Sequence, residues 1–318
     1  MPPPQRLPCR LHHKAKRLSQ HHHPLHHDIQ GEKTVQTAYT LDVLRKQIDT
    51  LAADGSTIGL VPTMGALHDG HLTLVRRARE MCDHVAVSIF VNPTQFGPGE
   101  DLDAYPRQLE ADAAMLEAEG TAVLWAPNVA AMYPDGFVTN ISVTGVSEGL
   151  CGADRPGHFD GVATVVCKLF NQVRPTHAFF GEKDFQQLAV IRAMARDLDL
   201  THPHARSIIG VPTVREADGL AMSSRNRYLS DKDRGAAVTL PRAMKAAITR
   251  IEAGDDVAAT LMAFQDELIG AGFTSVDYAT LADSASLAPL AALEGRTARL
   301  IVAARIGGTR LIDNMPVS

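Results

Sequence analysis

The sequence predicts an α/β protein in which a parallel sheet with helices on both faces is followed by a smaller α+β domain. Three observations support this fold class. Short apolar strands alternate with helical segments from residue 57 to about 212, which is typical of βαβ units. After about Val214 two helices are followed by a run of strands. The chain has 318 residues, enough for two domains and a large buried core.

The predicted elements follow from apolar periodicity. Thr40 is a suitable N-cap for a helix with an apolar stripe at Leu41, Leu44, Ile48 and Leu51. The pattern then predicts strands at 57–61, 84–91, 121–125 and 178–180, and helices at 71–81, 107–119, 162–172 and 185–198. In the smaller domain it predicts helices at 240–253 and 256–269, and strands at 276–281, 299–304 and 309–312.

Composition excludes several classes of protein. Asp and Glu (36) outnumber Lys and Arg (31), and this mild acidity argues against a nucleic-acid-binding surface. The longest apolar run, near Val85–Val91, is far shorter than the ~20 residues that a bilayer requires. The N-terminus lacks the apolar region of a secretory signal, and the four cysteines form no Cys-x-x-Cys pair. We therefore expect a cytoplasmic protein with reduced thiols.

Residues 1–33 differ from the rest of the chain. They hold seven of the 14 histidines, and six basic residues against two acidic ones leave −9 on the remainder. Prolines and basic residues without apolar periodicity predict a disordered, His-rich extension. Incidental low complexity, a cloning or start-site artefact and adventitious metal binding all fit it. We expect the larger domain to cover residues 34–213 and the smaller one residues 214–318.

The first candidate site is the Gly-rich turn Met64–His71, between a predicted strand and a helix. Ligands of open parallel sheets bind at the carboxyl ends of strands, and a helix N-terminus favours phosphate. Gly65 and Gly70 allow close approach of the backbone, and His68 and His71 can face one phosphate together. A helix cap and a His-x-x-His metal pair are the alternatives. The chain has neither a P-loop nor a Gly-x-Gly-x-x-Gly fingerprint.

Two further clusters also follow predicted strands. Asn92 and Gln95 offer neutral amides suited to a hydroxy acid, although Asn92 could instead satisfy the backbone of a turn. Lys183 is suited to a phosphate and Asp184 to ribose hydroxyls. The alternative for Asp184 is a favourable position in the first turn of a helix, where a lysine is less expected.

The last cluster, Met222–Asn226, lies next to the predicted domain boundary. Two hydroxyls followed by Arg225 can donate hydrogen bonds to a phosphate chain. A polar interdomain loop is the alternative, but ligands often bind in clefts between domains.

Taken together, five ordered motifs resemble the pantoate–β-alanine ligase (pantothenate synthetase) family of the nucleotidylyltransferase superfamily. The motifs are Val61–His71, Val91–Phe96, Tyr105–Arg107, Gly181–Gln187 and Val211–Arg225. The resemblance runs from about Thr34 to Asn314 and implies a Rossmann-like parallel sheet of the nucleotidylyltransferase type. Residues 1–33 have no counterpart in the family pattern, and residues 200–206 look a few residues longer than usual.

The resemblance implies the ATP-dependent condensation of (R)-pantoate with β-alanine to pantothenate, in coenzyme A biosynthesis. The reaction would pass through pantoyl adenylate and release pyrophosphate and AMP. The resemblance also implies Mg²⁺, a homodimer, and no nucleic-acid or membrane partner. Another nucleotidylyltransferase is the alternative enzyme. A fragment of an aminoacyl-tRNA synthetase fits the acidic charge poorly, and the non-enzyme alternative is a nucleotide-binding or metal-sequestering module.

Residue by residue, the resemblance implies the following roles. The catalytic residues are His68, His71, Lys183 and Arg225, with His71 as the proton donor. The ATP-binding residues are Met64, Gly65, Ala66, Leu67, His68, Asp69, Gly70, His71, Gly181, Glu182, Lys183, Asp184, Val214, Met222, Ser223, Ser224 and Arg225. Gln95 and Gln187 bind pantoate, Gln95 also borders β-alanine, Asn92 lies near the pantoyl group, and Asp112 is a candidate for holding magnesium.

Overall fold

The first half of the chain builds one parallel sheet of six strands. The structure is a computed structural model that describes residues 35–97 and 99–318. The strands are β1 (Gln36–Ala38), β2 (Ile58–Thr63), β3 (His84–Ile89), β4 (Val123–Trp125), β5 (His177–Gly181) and β6 (Ile208–Val211). The helices are α1 (Leu41–Leu51), α2 (Asp69–Met81), α3 (Leu109–Ala118), α4 (Val129–Met132), α5 (Cys151–Asp154), α6 (His158–Val173) and α7 (Phe185–Asp197).

Both faces of this sheet are buried, as the fold prediction requires. Successive strand residues point to opposite faces, so Val85 and Val87 pack into one apolar core and Ala86 into another. The core with Ala86 contains the apolar residues of α1, α6 and α7, and the other core contains those of α2 and α3. Continuous apolar strands are expected when helices cover both faces.

The strand order places the reversal of the sheet beside β2. The order is β1-β4-β3-β2-β5-β6. β3 and β4 follow β2 on one side of it, and β5 and β6 are added on its other side. Gly59 and Leu60 of β2 pair in parallel with His177 and Ala178 of β5. In open α/β sheets, ligands bind in the crevice at such a switch point. The turns that follow β2 and β5 therefore lie next to each other.

The second half of the chain forms a separate antiparallel sheet with its own core. Its helices are α8 (Asp231–Ala237), α9 (Thr239–Glu252) and α10 (Val257–Gly270), and its strands are β7 (Ser275–Asp283), β8 (Ala298–Ile306) and β9 (Thr309–Val317). Met244, Leu268 and Val302 are among the fully buried residues of this core. The division expected at residues 213/214 stays a prediction, because Lys33–Ser318 forms one compact unit although it contains two sheets.

All predicted helices and strands are present in the described residues, with shifted ends. The largest functional shift concerns α2, which begins at Asp69 and not at His71. The strands β1 and β6 and the short helices α4, α5 and α8 were not predicted. Except for α8, these elements have three or four residues, too few to establish a period, and β1 depends on its pairing with β4. The seven residues of α8 contain no large apolar side chain that could form a stripe. The predicted disordered extension, residues 1–33, lies outside the described residues.

The glycine at position 161 provides a test of how closely α6 packs on the turn after β3. A Cβ at Gly161 would lie 2.4 Å from the carbonyl oxygen of Thr94 and 2.8 Å from the nitrogen of Gln95. We expect Gly161→Ala to lower the free energy of unfolding by about 1–3 kcal/mol, because the backbone must move to admit the methyl group. Urea denaturation measures this change.

Gly235→Ala is the matched control for that experiment. Gly235 also lies in a helix, and a Cβ there would meet nothing within 4 Å. Alanine favours the helix by about 1 kcal/mol, so this variant should be at least as stable as the parent protein. Equal stability of the two variants would contradict the close packing of α6 on the turn.

Candidate active site

A cavity opens at the carboxyl ends of β2, β3 and β5, where the strand order reverses. It is lined by residues from all four predicted clusters: Met64, His68, Gly70, His71, Asn92, Gln95, Gly181, Lys183, Asp184, Gln187, Val214, Met222, Ser223, Ser224 and Arg225. The cavity adjoins a wider cleft toward the C-terminal sheet, and Lys183, Gln187 and Arg225 line both. The fold therefore brings the predicted motifs together at one position.

The turn after β2 holds two histidines side by side, with ring centroids 4.1 Å apart. Nδ1 of His68 accepts the backbone N–H of Gly70 at 3.1 Å, and Nδ1 of His71 accepts the backbone N–H of His68 at 3.4 Å. Each neutral ring must then carry its proton on Nε2. The same contacts cap α2, which explains its early start. The two histidines can therefore cap the helix through Nδ1 and still donate a hydrogen bond to a ligand through Nε2–H.

Both imidazoles are neutral near neutral pH. Burial lowers the pKa of His68 to about 4, with Lys183 and Arg227 acting in the same direction. Burial also lowers the pKa of His71 to about 3, together with His68 and Lys183. Positive neighbours and loss of water both disfavour the charged imidazolium. In the free protein the pair thus offers hydrogen-bond donors without positive charge.

A buried carboxylate holds the backbone of this turn from below. The two oxygens of Asp112 accept the backbone N–H groups of Ala66 and Leu67, both at 2.9 Å, and Gln108 donates to one of them at 3.1 Å. Gly65 has a φ of +82°, and a Cβ there would lie 3.0 Å from this carboxylate. Asp112 is fully buried and its oxygens are engaged, so it is a structural residue and not the magnesium ligand suggested from the sequence.

Five of the predicted ATP-binding residues do not line the cavity. Gly65, Ala66 and Leu67 are buried and shape the turn through their backbone. Asp69 points away from the cavity and pairs with Arg76 at 2.7 Å. Glu182 faces the C-terminal sheet and pairs with Arg299 at 2.6 Å. Neighbouring residues of a tight turn project in different directions, and the sequence does not specify which of them face the ligand.

Asn92 lies at the cavity wall, and its amide is fully engaged. Its Nδ2 donates to Oε1 of Gln95 at 3.2 Å and to the carbonyl of Gly161 at 3.1 Å. Its Oδ1 accepts the hydroxyls of Tyr133 and Thr94, both at 2.9 Å. Asn92 therefore satisfies its turn, as the alternative interpretation proposed, and it orients Gln95 toward the cavity.

The turn after β5 brings a cation to the same position. Lys183 is largely buried, with a side chain 19% exposed, and its Nζ lies 4.0 Å from Oδ2 of Asp184. It is close enough to lower the pKa of both His68 and His71. Gln187 follows one turn later on α7 and lines the same cavity. The pairing of β2 with β5 therefore sets an ammonium group beside the two imidazoles.

The loop after β6 adds a guanidinium and two hydroxyls. Asp101 accepts two hydrogen bonds from Arg225, at 2.9 and 3.1 Å. Ser223 caps the loop by accepting the N–H of Arg225 at 3.2 Å, and the hydroxyl of Ser224 lies 3.5 Å from that of Tyr105. Burial disfavours the charged guanidinium, but the ion pair with Asp101 outweighs burial and raises the pKa of Arg225. An anion that binds here would therefore contact the guanidinium of Arg225 while it is paired with Asp101.

Arg155 and His158, at the start of α6, also reach the cavity and were missed from the sequence. Nδ1 of His158 lies 2.8 Å from the carbonyl oxygen of Gln95, and its Nε2 lies 3.0 Å from Nη1 of Arg155. Burial and Arg155 lower the pKa of His158 to about 4. Arg155 also pairs with Glu100, at 2.6 Å. The signal for this pair was the segment Arg155-Pro-Gly-His158, a second Gly-preceded histidine at a helix start.

One wall of the cavity is apolar. It is formed by Val162, Val165, Val166 and Leu169 of α6 together with Phe180 of β5. Apolar walls combined with a few oriented polar groups are typical of small-molecule sites. The cavity can therefore hold a ligand that is branched and apolar on one side and polar on the other.

Residues 35–97 and 99–318 contain neither a metal cluster nor a membrane-spanning helix. Within these ranges no three His, Cys, Asp or Glu side chains cluster as a metal site. None of the helices there is long and apolar enough to cross a bilayer. Cys82, Cys151 and Cys167 are free thiols, and Cys9 lies outside the described residues.

Comparison with known proteins identifies relatives along nearly the whole described chain. A family model described as pantoate-beta-alanine ligase matches residues 36–316. The pantothenate synthetase of Novosphingobium aromaticivorans is 66% identical over 283 residues, covering 89% of this chain and 99% of that protein. The pantothenate synthetase of Rhizorhabdus wittichii is 59% identical over 283 residues, with 89% and 99% covered.

Solved structures agree with these relatives. The crystal structure of pantothenate synthetase from Thermus thermophilus has a TM-score of 0.81 and 46% identity, covering 88% of this chain and 99% of that one. Pantoate-beta-alanine ligase from Francisella tularensis, complexed with beta-gamma ATP and beta-alanine, has a TM-score of 0.74 and 33% identity, with 88% and 97% covered. The chain therefore belongs to the pantoate–β-alanine ligase family, which joins pantoate to β-alanine through an adenylate and releases AMP and pyrophosphate.

Proposed function

We propose that the cavity between β2 and β5 is where this ligase forms pantothenate. The observation that carries the proposal is the meeting of two neutral imidazoles, an ammonium and a guanidinium at the switch point of the sheet. In the first step a carboxylate oxygen of pantoate attacks the α-phosphorus of ATP, and pyrophosphate leaves. In the second step the β-alanine nitrogen attacks the acyl carbon, and the C–O bond to AMP breaks.

The phosphates of ATP are proposed to lie against His68, His71, Lys183 and Arg225. The N-terminus of α2 lies at the same position, and the positive end of its helix dipole favours an anion. As pyrophosphate leaves, negative charge moves onto its bridging oxygen, and fixed donors stabilise that charge. The donor on His71 is a neutral Nε2–H group, because its Nδ1 is occupied. The Francisella tularensis relative, whose title names beta-gamma ATP, supports the use of ATP by this fold.

The nucleotide is proposed to contact a second group of residues around these four. Met64, Gly70, Gly181, Asp184, Val214, Met222, Ser223 and Ser224 line the cavity on both sides of Lys183 and Arg225. Ser223 and Ser224 lie on the loop that carries Arg225, so all three would approach the phosphates together. Such a loop also shields a reactive mixed anhydride from water.

Pantoate is proposed to lie between the glutamines and the apolar wall. Its two methyl groups fit against Val162, Val165 and Val166, while Gln95 and Gln187 are available to its hydroxyls. Asn92 supports Gln95 by donating to its side-chain oxygen. The incoming β-alanine would border Gln95. An amide orients both substrates without adding charge beside the reacting carboxylate.

Magnesium is proposed to enter on the triphosphate of ATP. Mg²⁺ commonly keeps several waters and takes one or two carboxylates together with substrate phosphates. Asp184 fits such a role, because its side chain is 46% exposed and lines the cavity beside Lys183. When bound, the ion would offset negative charge on the phosphate oxygens.

We also propose that the protein is a cytoplasmic homodimer, as the resemblance implies. The three free thiols of the described residues support a reducing compartment.

The first test of this function is isotope exchange. Labelled pyrophosphate should enter ATP when pantoate and Mg²⁺ are present without β-alanine, because the adenylate forms reversibly before the amine attacks. Adding β-alanine should then yield AMP and pantothenate. Product without exchange would contradict a free adenylate, and no product in either experiment would contradict the ligase function.

Removing a single donor should reduce the exchange rate without unfolding the protein. We expect Lys183→Ala and His71→Ala each to lower kcat by about 10²–10³, which is typical when one charge-stabilising donor is lost. Lys46→Ala, on the exposed side of α1, is the control and should retain normal turnover. Steady-state kinetics and circular dichroism measure both properties. Near-normal turnover in either cavity variant would refute the assigned role.

The contribution of the two histidines to ATP affinity should not change between about pH 7.5 and about pH 5.5. Their pKa values in the free protein are about 4 and about 3, and the Nδ1 atom that would take up a proton already accepts a backbone N–H group in each ring. Both rings should therefore bind ATP as neutral N–H donors, without proton uptake through them. Calorimetry at about pH 7.5 and about pH 5.5 tests this, with the His68→Gln/His71→Gln variant correcting for protonation of ATP itself. A ratio of the ATP affinities of the parent protein and the variant that rises at the lower pH would contradict this prediction.

A further inference from the structure

We infer that Asp313 and Asn314, consecutive residues of β9, are positioning residues that hold both phosphate-facing segments of the cavity in register. One segment is the turn Gly181–Asp184, and the other is the loop Met222–Arg225. Neither Asp313 nor Asn314 lines the cavity itself. The inference rests on the proposed roles of Lys183 and Arg225 and adds the residues that fix their backbones.

Asn314 binds the backbone of the Lys183 turn directly. Its Nδ2 donates to the carbonyl oxygen of Glu182 at 2.8 Å and to that of Lys183 at 2.9 Å. Its Oδ1 accepts a hydrogen bond from Arg299. Asn314 is buried, so these bonds are not exchanged with water. An aspartate at this position would offer no N–H group to either carbonyl.

Arg299 strengthens the same attachment from the neighbouring strand. Its guanidinium pairs with Glu182 at 2.6 Å and lies 4.0 Å from the ring centroid of Phe185, the first residue of α7. The side chain of Arg299 is 13% exposed, so the ion pair is poorly screened by solvent. Asn314 thus binds the backbone of the turn that carries Lys183, and Arg299 contacts the side chains of Glu182 and Phe185 on either side of Lys183.

Asp313 holds the second segment through Arg215. Its fully buried carboxylate accepts two hydrogen bonds from Arg215, at 2.7 and 2.9 Å. Arg215 also donates to the carbonyl of Gly219 at 3.1 Å and forms a backbone bridge with Ala221. The ion pair therefore fixes a small hairpin over residues 214–222. Ala221, on the second strand of this hairpin, directly precedes the loop Met222–Arg225.

The register of the C-terminal sheet determines both attachments at once. Asp313 lies opposite Val302 of β8, and Asn314 lies opposite Ile301. Side chains alternate between the faces of a strand, so a slip by one residue would turn both side chains away from their present partners. The C-terminal sheet thus sets the position of Lys183 relative to Arg225. A displacement of about 1 Å in such a group can cost about 10²-fold in rate.

The decisive variant is Asn314→Asp in the full-length protein. Aspartate has almost the same shape as asparagine, but it replaces the Nδ2 donor with a carboxyl oxygen, which is repelled by the carbonyl oxygens of Glu182 and Lys183. We expect the KM for ATP to rise at least 10-fold and the exchange rate to fall about 10²-fold. The KM for β-alanine should stay within twofold, because we propose that β-alanine borders Gln95 and not this turn. Asn314→Ser provides the second variant, because its hydroxyl cannot donate to both carbonyls.

Leu268→Ala separates positioning from a general loss of stability. Leu268 is fully buried on α10 and belongs to the core of the C-terminal sheet. This control should lower the Tm and leave the KM for ATP unchanged. The inference is overturned if Asn314→Asp and Asn314→Ser lower only the Tm and keep the normal KM for ATP. A parent protein that lacks exchange and product formation would refute the proposed function instead.

Discussion

The parallel pairing of β2 with β5 is the constraint on which the cavity depends. These strands are far apart in the sequence and become neighbours because the sheet reverses its direction of growth beside β2. The turn after β2 carries His68 and His71, and the turn after β5 carries Lys183. Both turns begin helices, so the positive ends of two helix dipoles lie at the same crevice. Without this pairing, the imidazoles of His68 and His71 and the ammonium group of Lys183 would not lie close enough to contact one ligand together.

The charges in this cavity suit an anion that arrives and then departs. A buried cation without a partner is costly, and the fold avoids that cost in two ways. Arg225 and Arg155 are each paired with a carboxylate from one loop, Asp101 and Glu100 respectively. The histidines remain neutral because burial lowers their pKa. A triphosphate then meets donors that are oriented but not strongly charged, which is compatible with release of pyrophosphate and AMP.

Buried polar groups outside the cavity orient those inside it. Asp112 holds the histidine turn through two backbone N–H groups, and Asn92 orients Gln95. Asn314 of β9 binds the Lys183 turn from the C-terminal sheet. Each of these side chains has its hydrogen-bonding groups engaged, and a satisfied buried polar group specifies one geometry. Side chains from both sheets therefore contact the segments around the cavity, although all the residues that line it precede Asn226.

The sequence by itself determined the fold class, the positions of the main elements and the motifs that meet at the cavity, because apolar periodicity and turn composition are local properties. Local pattern also gave His68, His71, Gln95, Lys183 and Arg225 as candidates that line the cavity. Only the tertiary structure decided which neighbours in a turn face the ligand. It turned Asp69 and Glu182 outward, buried Asp112 under a backbone, and brought Arg155 and His158 inward. These outcomes depend on strand order and long-range contacts, which no local pattern encodes.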